Sequence, residues 1–440
     1  MIRVGMVSLG CPKNQVDAER MLYLLRNDGY ELVSDAALSD VVIINTCGFI
    51  ESAKSEAIET ILEFCTLKQE GRIKAVIVTG CLAERYKDEI LKEIPEVDAV
   101  IGIGSNEKIC GVITDVCKGK NITLYGGKED LCFDDKRIIS TPGSFAFIKI
   151  AEGCNNCCTY CAIPSIRGRF RSRRIEDIVK EAEGIAKQGF TELVVVAQDT
   201  TRYGEDIYGE TKLPELLHKL CEIDGLKWIR TLYMYPERIT DELIDTIARE
   251  EKLVKYMDIP IQHCNSQVLK RMNRKGDKQS LVDLINKIRT KIPDIVLRTT
   301  LITGFPGETE EQFEELCEFV DEMQFERLGC FAYSQEEGTP AADFPDQIDE
   351  DIKEHRCEII YDMQQRISDK FNQSLLGSEL EIVVEGFDRY AECFFGRSYM
   401  DAPDIDGKVF FTSANKLSLG EYVRVKVNDI LDYDLLGEHI

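Results

Sequence analysis

CNNCCTYC, residues 154–161, packs four cysteines into eight positions. It follows directly on an apolar run, FIKIAEG (147–153), that reads as a strand ending in a glycine turn. Cys154, Cys158 and Cys161 have the spacing C-x3-C-x2-C. Three thiolates on one tight loop can hold three irons of a [4Fe–4S] cubane and leave the fourth iron open to a small molecule. A structural zinc site would need a fourth ligand and usually pairs C-x2-4-C with a distant second pair. Cys157 would complete a set of four, but neighbouring side chains diverge, so it is read as a bystander to Cys158.

Working outward, strands alternate with helical patterns on both sides of this loop. Upstream lie IRVGMVSLG (2–10), DVVIINTCG (40–48), AVIVTGC (75–81) and VDAVIGIG (97–104), with helical spacing between them. That order predicts a parallel-sheet α/β domain covered on both faces, over residues 1–118. Residues 119–142 are polar and weakly periodic and read as a linker or hairpin. Downstream, FAFIKIAEG, ELVVVAQD, WIRTLYMYP, YMDIPIQH, IVLRTTLITGFPG and RLGCFAYS give six βα units. They predict a partial TIM-like (βα)6 barrel over 140–370 with functional loops at the strands' C-terminal ends. A long helix closes it, with Ile352, Ile359, Met363, Ile367 and Phe371 on its expected apolar face. From 371 to 440 the period changes to two, and five short strands predict a small OB-like all-β barrel.

The upstream strands carry a second cysteine set. Cys11, Cys47 and Cys81 each follow an apolar run, in SLGC, INTC and VTGC. In a parallel sheet the strand C-termini share one edge, where ligands bind. Three thiols at one structural phase therefore make a metal site the better reading, although each alone reads as a buried cysteine. Gly10, Gly48 and Gly80 beside them allow close backbone approach. The other cysteines (65, 110, 117, 132, 221, 264, 317, 330, 357 and 393) show no such phase and read as packing residues.

Composition agrees with metal or redox chemistry. The 440 residues include 17 cysteines, an odd number, and the N-terminus lacks the apolar run and cleavage site of a signal peptide. No stretch of eighteen or more apolar residues marks a membrane span, and a cytoplasmic location is expected. The net charge of -25 opposes non-specific nucleic-acid binding and favours a basic partner.

CNNCCTYC, with aromatic Tyr160 before its last cysteine, resembles the signature of the radical S-adenosylmethionine superfamily. Taken with the N-terminal three-cysteine domain and the small C-terminal β-domain, which is similar to a TRAM domain, the whole chain resembles the methylthiotransferase family. The resemblance implies two [4Fe–4S] clusters: one on Cys154, Cys158 and Cys161 that binds and cleaves S-adenosylmethionine, and an auxiliary one on Cys11, Cys47 and Cys81 that carries the inserted sulfur. It also implies that one S-adenosylmethionine supplies the methyl group and another a 5′-deoxyadenosyl radical that removes hydrogen from the substrate carbon. SLGCPKNQVDAE (8–19), VVAQDTTRYGED (195–206) and LYMYPERI (232–239) resemble the branch that methylthiolates the β-carbon of an aspartate in small-subunit ribosomal protein number twelve. The tRNA-modifying branch is the near alternative. A non-catalytic iron–sulfur or zinc protein that binds a ribosomal partner is the alternative from another class.

The resemblance implies further partners: an electron donor such as flavodoxin or ferredoxin, and a sulfur donor. Residues 371–440 hold thirteen acidic and six basic side chains, which suits a basic ribosomal protein better than RNA, so nucleic acid is not the expected substrate. Tyr160 in the cysteine loop, and Gln198, Gln262 and Arg298 at or near strand ends, are candidate S-adenosylmethionine contacts. The last three read equally as polar barrel residues satisfied by their neighbours. RGRFRSRR (167–174) places five arginines after the cysteine loop, most of them read as a solvated run, with a carboxylate clamp as the sharper alternative. Gly304 and Gly307 read as a turn, and His263 as structural.

Overall fold

The computed structural model describes residues 1–130 and 136–440, so Cys132 and part of the expected linker lie outside the described residues. The chain forms two compact units. One comprises Met1–Ser140, Ala151–Arg173 and Glu336–Thr339; the other comprises Thr141–Ile150, Arg174–Gln335 and Pro340–Ile440.

The first unit is built on a six-stranded parallel sheet. Its strands are β1 (Arg3–Ser8), β2 (Glu31–Val33), β3 (Val41–Thr46), β4 (Ala75–Gly80), β5 (Ala99–Ile101) and β6 (Ile122–Leu124), in the order β2-β1-β3-β4-β5-β6. Alternate residues of β3 and β4 feed opposite faces. Val42, Ile44, Val76 and Val78 pack with Ala57, Ile61 and Phe64 of the helix Glu51–Gln69. Val41, Ile43, Ala75 and Ile77 pack with Met21 and Leu25 of the helix Pro12–Asn27 and with Val112 and Ile113 of Ile109–Val116. Each fully buried aliphatic side chain contributes about 1.5–3 kcal/mol. Strand β6 corrects the linker reading of 119–142: Ile122, Thr123 and Leu124 pair in register with Ala99, Val100 and Ile101. Three residues are too few to show a period, so sequence alone missed it.

The strand order reverses at β1, which lies between β2 and β3. The crevice outside the C-terminal ends of β1 and β3 is therefore the topological switch point, where open α/β sheets place their ligands. Cys11 and Cys47 follow those two strands.

In the second unit, β7 (Phe145–Lys149) starts the barrel. The chain then passes through β8 (Ala151–Glu152) and β9 (Arg171–Ser172), an antiparallel pair of the first unit that brackets the cysteine loop in sequence. The barrel continues with β10 (Glu192–Val196), β11 (Trp228–Thr231), β12 (Tyr256–Asp258), β13 (Val296–Thr303) and β14 (Arg327–Ala332). These six parallel strands pair as β11-β10-β7 and β12-β13-β14, and an isolated bridge pairs Ile229 of β11 with Leu253, just before β12. β15 (Glu379–Asp388), β16 (Cys393–Arg397), β17 (Val409–Thr412), β18 (Tyr422–Leu431) and β19 (Asp434–His439) close a five-stranded barrel in the order β15-β16-β17-β19-β18. No helix among the described residues is long and apolar enough to cross a membrane.

The helix Glu350–Ser374 departs from its expected apolar face. Ile352 is 44% exposed, and the buried stripe is Lys353, Arg356, Ile360, Gln364, Ile367, Ser368 and Asn372. This helix lies over loops whose polar groups need partners. Arg356 binds Glu308, the Lys353 carbonyl accepts from Thr303, and Gln364 donates to the Phe325 carbonyl. Buried polar groups there must be satisfied, so the stripe is polar.

Candidate metal centre

Backbone contacts that only glycine permits bring the three N-terminal cysteine loops together. Gly10 has φ +90°, and a Cβ there would lie 2.7 Å from Cys47 Cβ. Gly80, at φ +93°, backs onto Thr46, whose carbonyl would be 2.4 Å from an added Cβ. Gly48 lies against Leu82 and Cys81 in the same way. Asn14 fastens the loops by donating to the carbonyls of Leu9 at 2.8 Å and Thr46 at 3.0 Å. Asn45 returns a bond to the Asn14 carbonyl at 2.8 Å.

The three thiols differ electrostatically. Burial pushes the Cys11 thiol up, but the charges of Lys13 and Arg167 and the amides of Asn14 and Lys13 outweigh it and hold it below its ordinary value. Cys11 also occupies the N-cap of the helix Pro12–Asn27, where a thiolate is favoured. Burial raises Cys47, and it pushes Cys81 up to about 12 despite Arg167. Cys11 is thus the readiest thiolate of the set.

The downstream loop is pinned at its base. Gly153 has φ +77° and sits against the Arg169 carbonyl, while Cys154 N–H donates to the Gly168 carbonyl at 3.1 Å. Cys161 N–H donates to the Cys158 carbonyl at 3.0 Å. Cys158 is buried, Cys154 and Cys161 are half-buried, and Cys157 is exposed with φ +51°. Burial, reinforced by the charges of Cys158, Cys154 and Cys157, raises the Cys161 thiol well above its ordinary range.

Arg167 joins the two cysteine segments, and sequence reading missed it as a fully buried group. Its Nη1 donates to Asp17 Oδ2 at 3.0 Å and Glu152 Oε1 at 2.9 Å. Its Nη2 donates to Asn14 Oδ1 at 3.1 Å and approaches Cys81 Sγ at 3.5 Å. Ala162 and Ile166, from the segment after the loop, pack with Cys81 and Ile103. The arginine run is therefore not uniformly solvated: Arg167 and Arg173 are buried, whereas Arg169 and Arg174 are exposed.

Both cysteine sets lie in the first unit, and all six side chains are free of disulfides. Two groups of three thiols are a donor set that suits iron–sulfur ligation. Among the described residues, no three Cys, His or carboxylate side chains are gathered closely enough to hold one metal ion, whereas a polynuclear cluster spreads its ligands over several irons.

The candidate cofactor contacts divide between the units. Tyr160 is half-buried in the cysteine loop. In the second unit, Gln198 is half-buried just beyond β10, and Gln262 takes φ +69° and exchanges backbone bonds with Thr300 and Ile302, both at 2.8 Å. Arg298 is the third residue of β13, not at that strand's C-terminal end, and it binds Asp258 at 2.9 Å with Asp406 at 3.6 Å. His263 is fully buried, accepts from Asn265 N–H at 2.9 Å and faces Glu308 at 3.5 Å. Of the remaining cysteines, Cys117 is exposed rather than packed.

Comparison with known proteins supplies the family. Residues 3–102 match the uncharacterized protein family UPF0004, residues 148–320 the radical SAM superfamily and residues 376–440 the TRAM domain. The ribosomal protein uS12 methylthiotransferase RimO of Thermoanaerobacter sp. (strain X514) is 50% identical, with 100% of each chain covered. That of Clostridioides difficile (strain 630) is 48% identical over 100% of this chain and 99% of the relative. Among solved structures, the radical S-adenosylmethionine methyltransferase TsrM from Kitasatospora setae, with cobalamin and a [4Fe-4S] cluster bound, superposes with a TM-score of 0.57. At 13% identity, over 77% of this chain and 76% of that one, it shares the fold alone. The chain belongs to the RimO family of methylthiotransferases, enzymes of the radical SAM superfamily.

Proposed function

We propose that this protein installs a methylthio group on the β-carbon of an aspartate in ribosomal protein uS12. The observation that carries the reading is full-length kinship to RimO enzymes, supported by the close packing of the loops that bear Cys11, Cys47 and Cys81 through Gly10, Gly48 and Gly80. In this reading Cys154, Cys158 and Cys161 hold one [4Fe–4S] cluster and Cys11, Cys47 and Cys81 hold a second. Bound there, the clusters and S-adenosylmethionine would supply the radical, the methyl group and the sulfur.

The chain's own residues prepare and separate the two ligand sets. Gly10, Gly48 and Gly80 let three loops close on one another, and Asn14 and Asn45 hold them in place. Cys11, with its depressed thiol, offers the first anionic ligand. Tyr160, Gln198, Gln262 and Arg298 are the proposed contacts for S-adenosylmethionine. The reaction also draws on a reductant of the flavodoxin or ferredoxin class and on a sulfur donor. The acidic 371–440 segment favours a basic protein substrate over RNA.

The test is an anaerobic incubation of reduced enzyme and S-adenosylmethionine with uS12 and tRNA side by side, read by mass spectrometry. A methylthio gain on uS12 alone is expected. A gain on tRNA alone would overturn the substrate assignment.

A further inference from the structure

Arg167 is a buried cation that the proposed chemistry leaves without a role. It is 1% exposed and sits among two carboxylates, an amide oxygen and one thiol sulfur. Guanidinium always carries its charge, and its planar fork fixes the direction of each N–H. Asp17 and Glu152 occupy Nη1, which aims Nη2 at Asn14 and at Cys81 Sγ. The sulfur contact is therefore set by three partners on two other chain segments. A solvated arginine would be free to leave; this one has no exposed alternative.

Hydrogen bonds and positive charge at a ligating sulfur stabilise the more negative, reduced form of an iron–sulfur cluster and so raise its potential. We propose that Arg167 is a positioning residue that raises the reduction potential of the cluster on Cys11, Cys47 and Cys81 through its Nη2–H bond to the Cys81 sulfur. The inference rests on the assignment of that second cluster. It adds a tuning group to that centre: one buried guanidinium in contact with Cys81. Glu152, which precedes that loop by two residues, holds the same guanidinium, so the positioning group is anchored at the loop's own entry.

The experiment uses the full chain with Cys154, Cys158 and Cys161 changed to Ala, reconstituted anaerobically, so that only the N-terminal cluster is present. Iron and sulfide are assayed, and the cluster is titrated under electron paramagnetic resonance. Three forms are compared: the parent, Arg167→Lys, and the charge-balanced Glu152→Gln/Arg167→Gln pair, which removes one cation and one anion together. In the pair, the reduced-to-oxidised ratio at a fixed potential is expected to fall at least tenfold, about 59 mV for one electron. Arg167→Lys, which keeps the charge without the fork, should lie between the pair and the parent. An unchanged midpoint with full iron content in the pair overturns the proposal. Loss of iron from both Arg167 variants also overturns it and makes Arg167 a purely structural clamp. No iron–sulfur in the parent would defeat the second-cluster assignment itself, a result separate from either.

Discussion

Cys157 and Cys158 are adjacent yet occupy opposite environments. Cys158 is buried at 9% exposure, while Cys157 is exposed with φ +51°. Cys157→Ser is therefore expected to leave iron content unchanged, and Cys158→Ser to remove about half of it, by iron and sulfide assay of the reconstituted chain. The six proposed ligands were legible in the sequence because spacing and strand phase are one-dimensional signals. Asn14, Asp17, Glu152 and Arg167 were not, because what makes them part of the centre is burial against residues up to 153 positions away. Their one sequence trace was the arginine run, whose periodicity gave no hint that Arg167 turns inward.

At the scale of elements, the end of β4 is a tightly constrained joint near the centre. Gly80 has φ +93° and ψ -160°, a region essentially reserved for glycine, and an added Cβ would meet the Thr46 carbonyl at 2.4 Å. Gly80→Ala is expected to cost about 2–4 kcal/mol from backbone strain and overpacking. The same substitution should empty the proposed N-terminal cluster selectively, seen as loss of about half the iron with the spectrum of the proposed loop cluster retained. Strands of the barrel were legible because apolar runs recur after helical stretches. β6 and the buried stripe of the helix Glu350–Ser374 were not. The first is too short for periodicity, and the second is polar because it answers the unsatisfied groups of loops, which no hydrophobic pattern reports.

Across the second unit, a buried ion cluster fastens the (βα)6 barrel to the terminal β-barrel. Glu192 of β10 accepts from Arg230 of β11 at 2.9 Å and from Arg397 of β16 at 2.7 Å, and Arg397 also binds Glu385 of β15 at 2.8 Å. Burial pushes the Glu192 carboxyl up, but the two arginines outweigh it and hold it below the usual carboxylate range. A depressed folded value means the stabilisation is complete above the unfolded carboxylate range and is lost as pH falls through the folded value. Arg397→Ala strands a buried charge, so it is expected to destabilise by about 3–5 kcal/mol. Limited proteolysis between pH 7 and pH 3 should release residues 371–440 at a higher pH in the variant than in the parent.

The first unit is stitched from three stretches of chain, the last being Glu336–Thr339. Glu336 is nearly buried and accepts from Arg85 at 2.8 Å and Lys54 at 3.1 Å, and Arg85 also reaches the Glu337 carbonyl at 2.7 Å. During synthesis Lys54 and Arg85 emerge first and wait for a carboxylate that lies 251 residues behind Arg85 and farther still behind Lys54. Domains fold from the N-terminus as they leave the ribosome, but a unit whose closing contact is this distant cannot finish early. Ribosome-arrested chains should show a protease-sensitive first unit until residue 339 has cleared the exit tunnel, and Glu336→Gln should prolong that sensitivity in the full chain. The protein thus completes its cysteine-bearing unit only after all six strands of the (βα)6 barrel have been made.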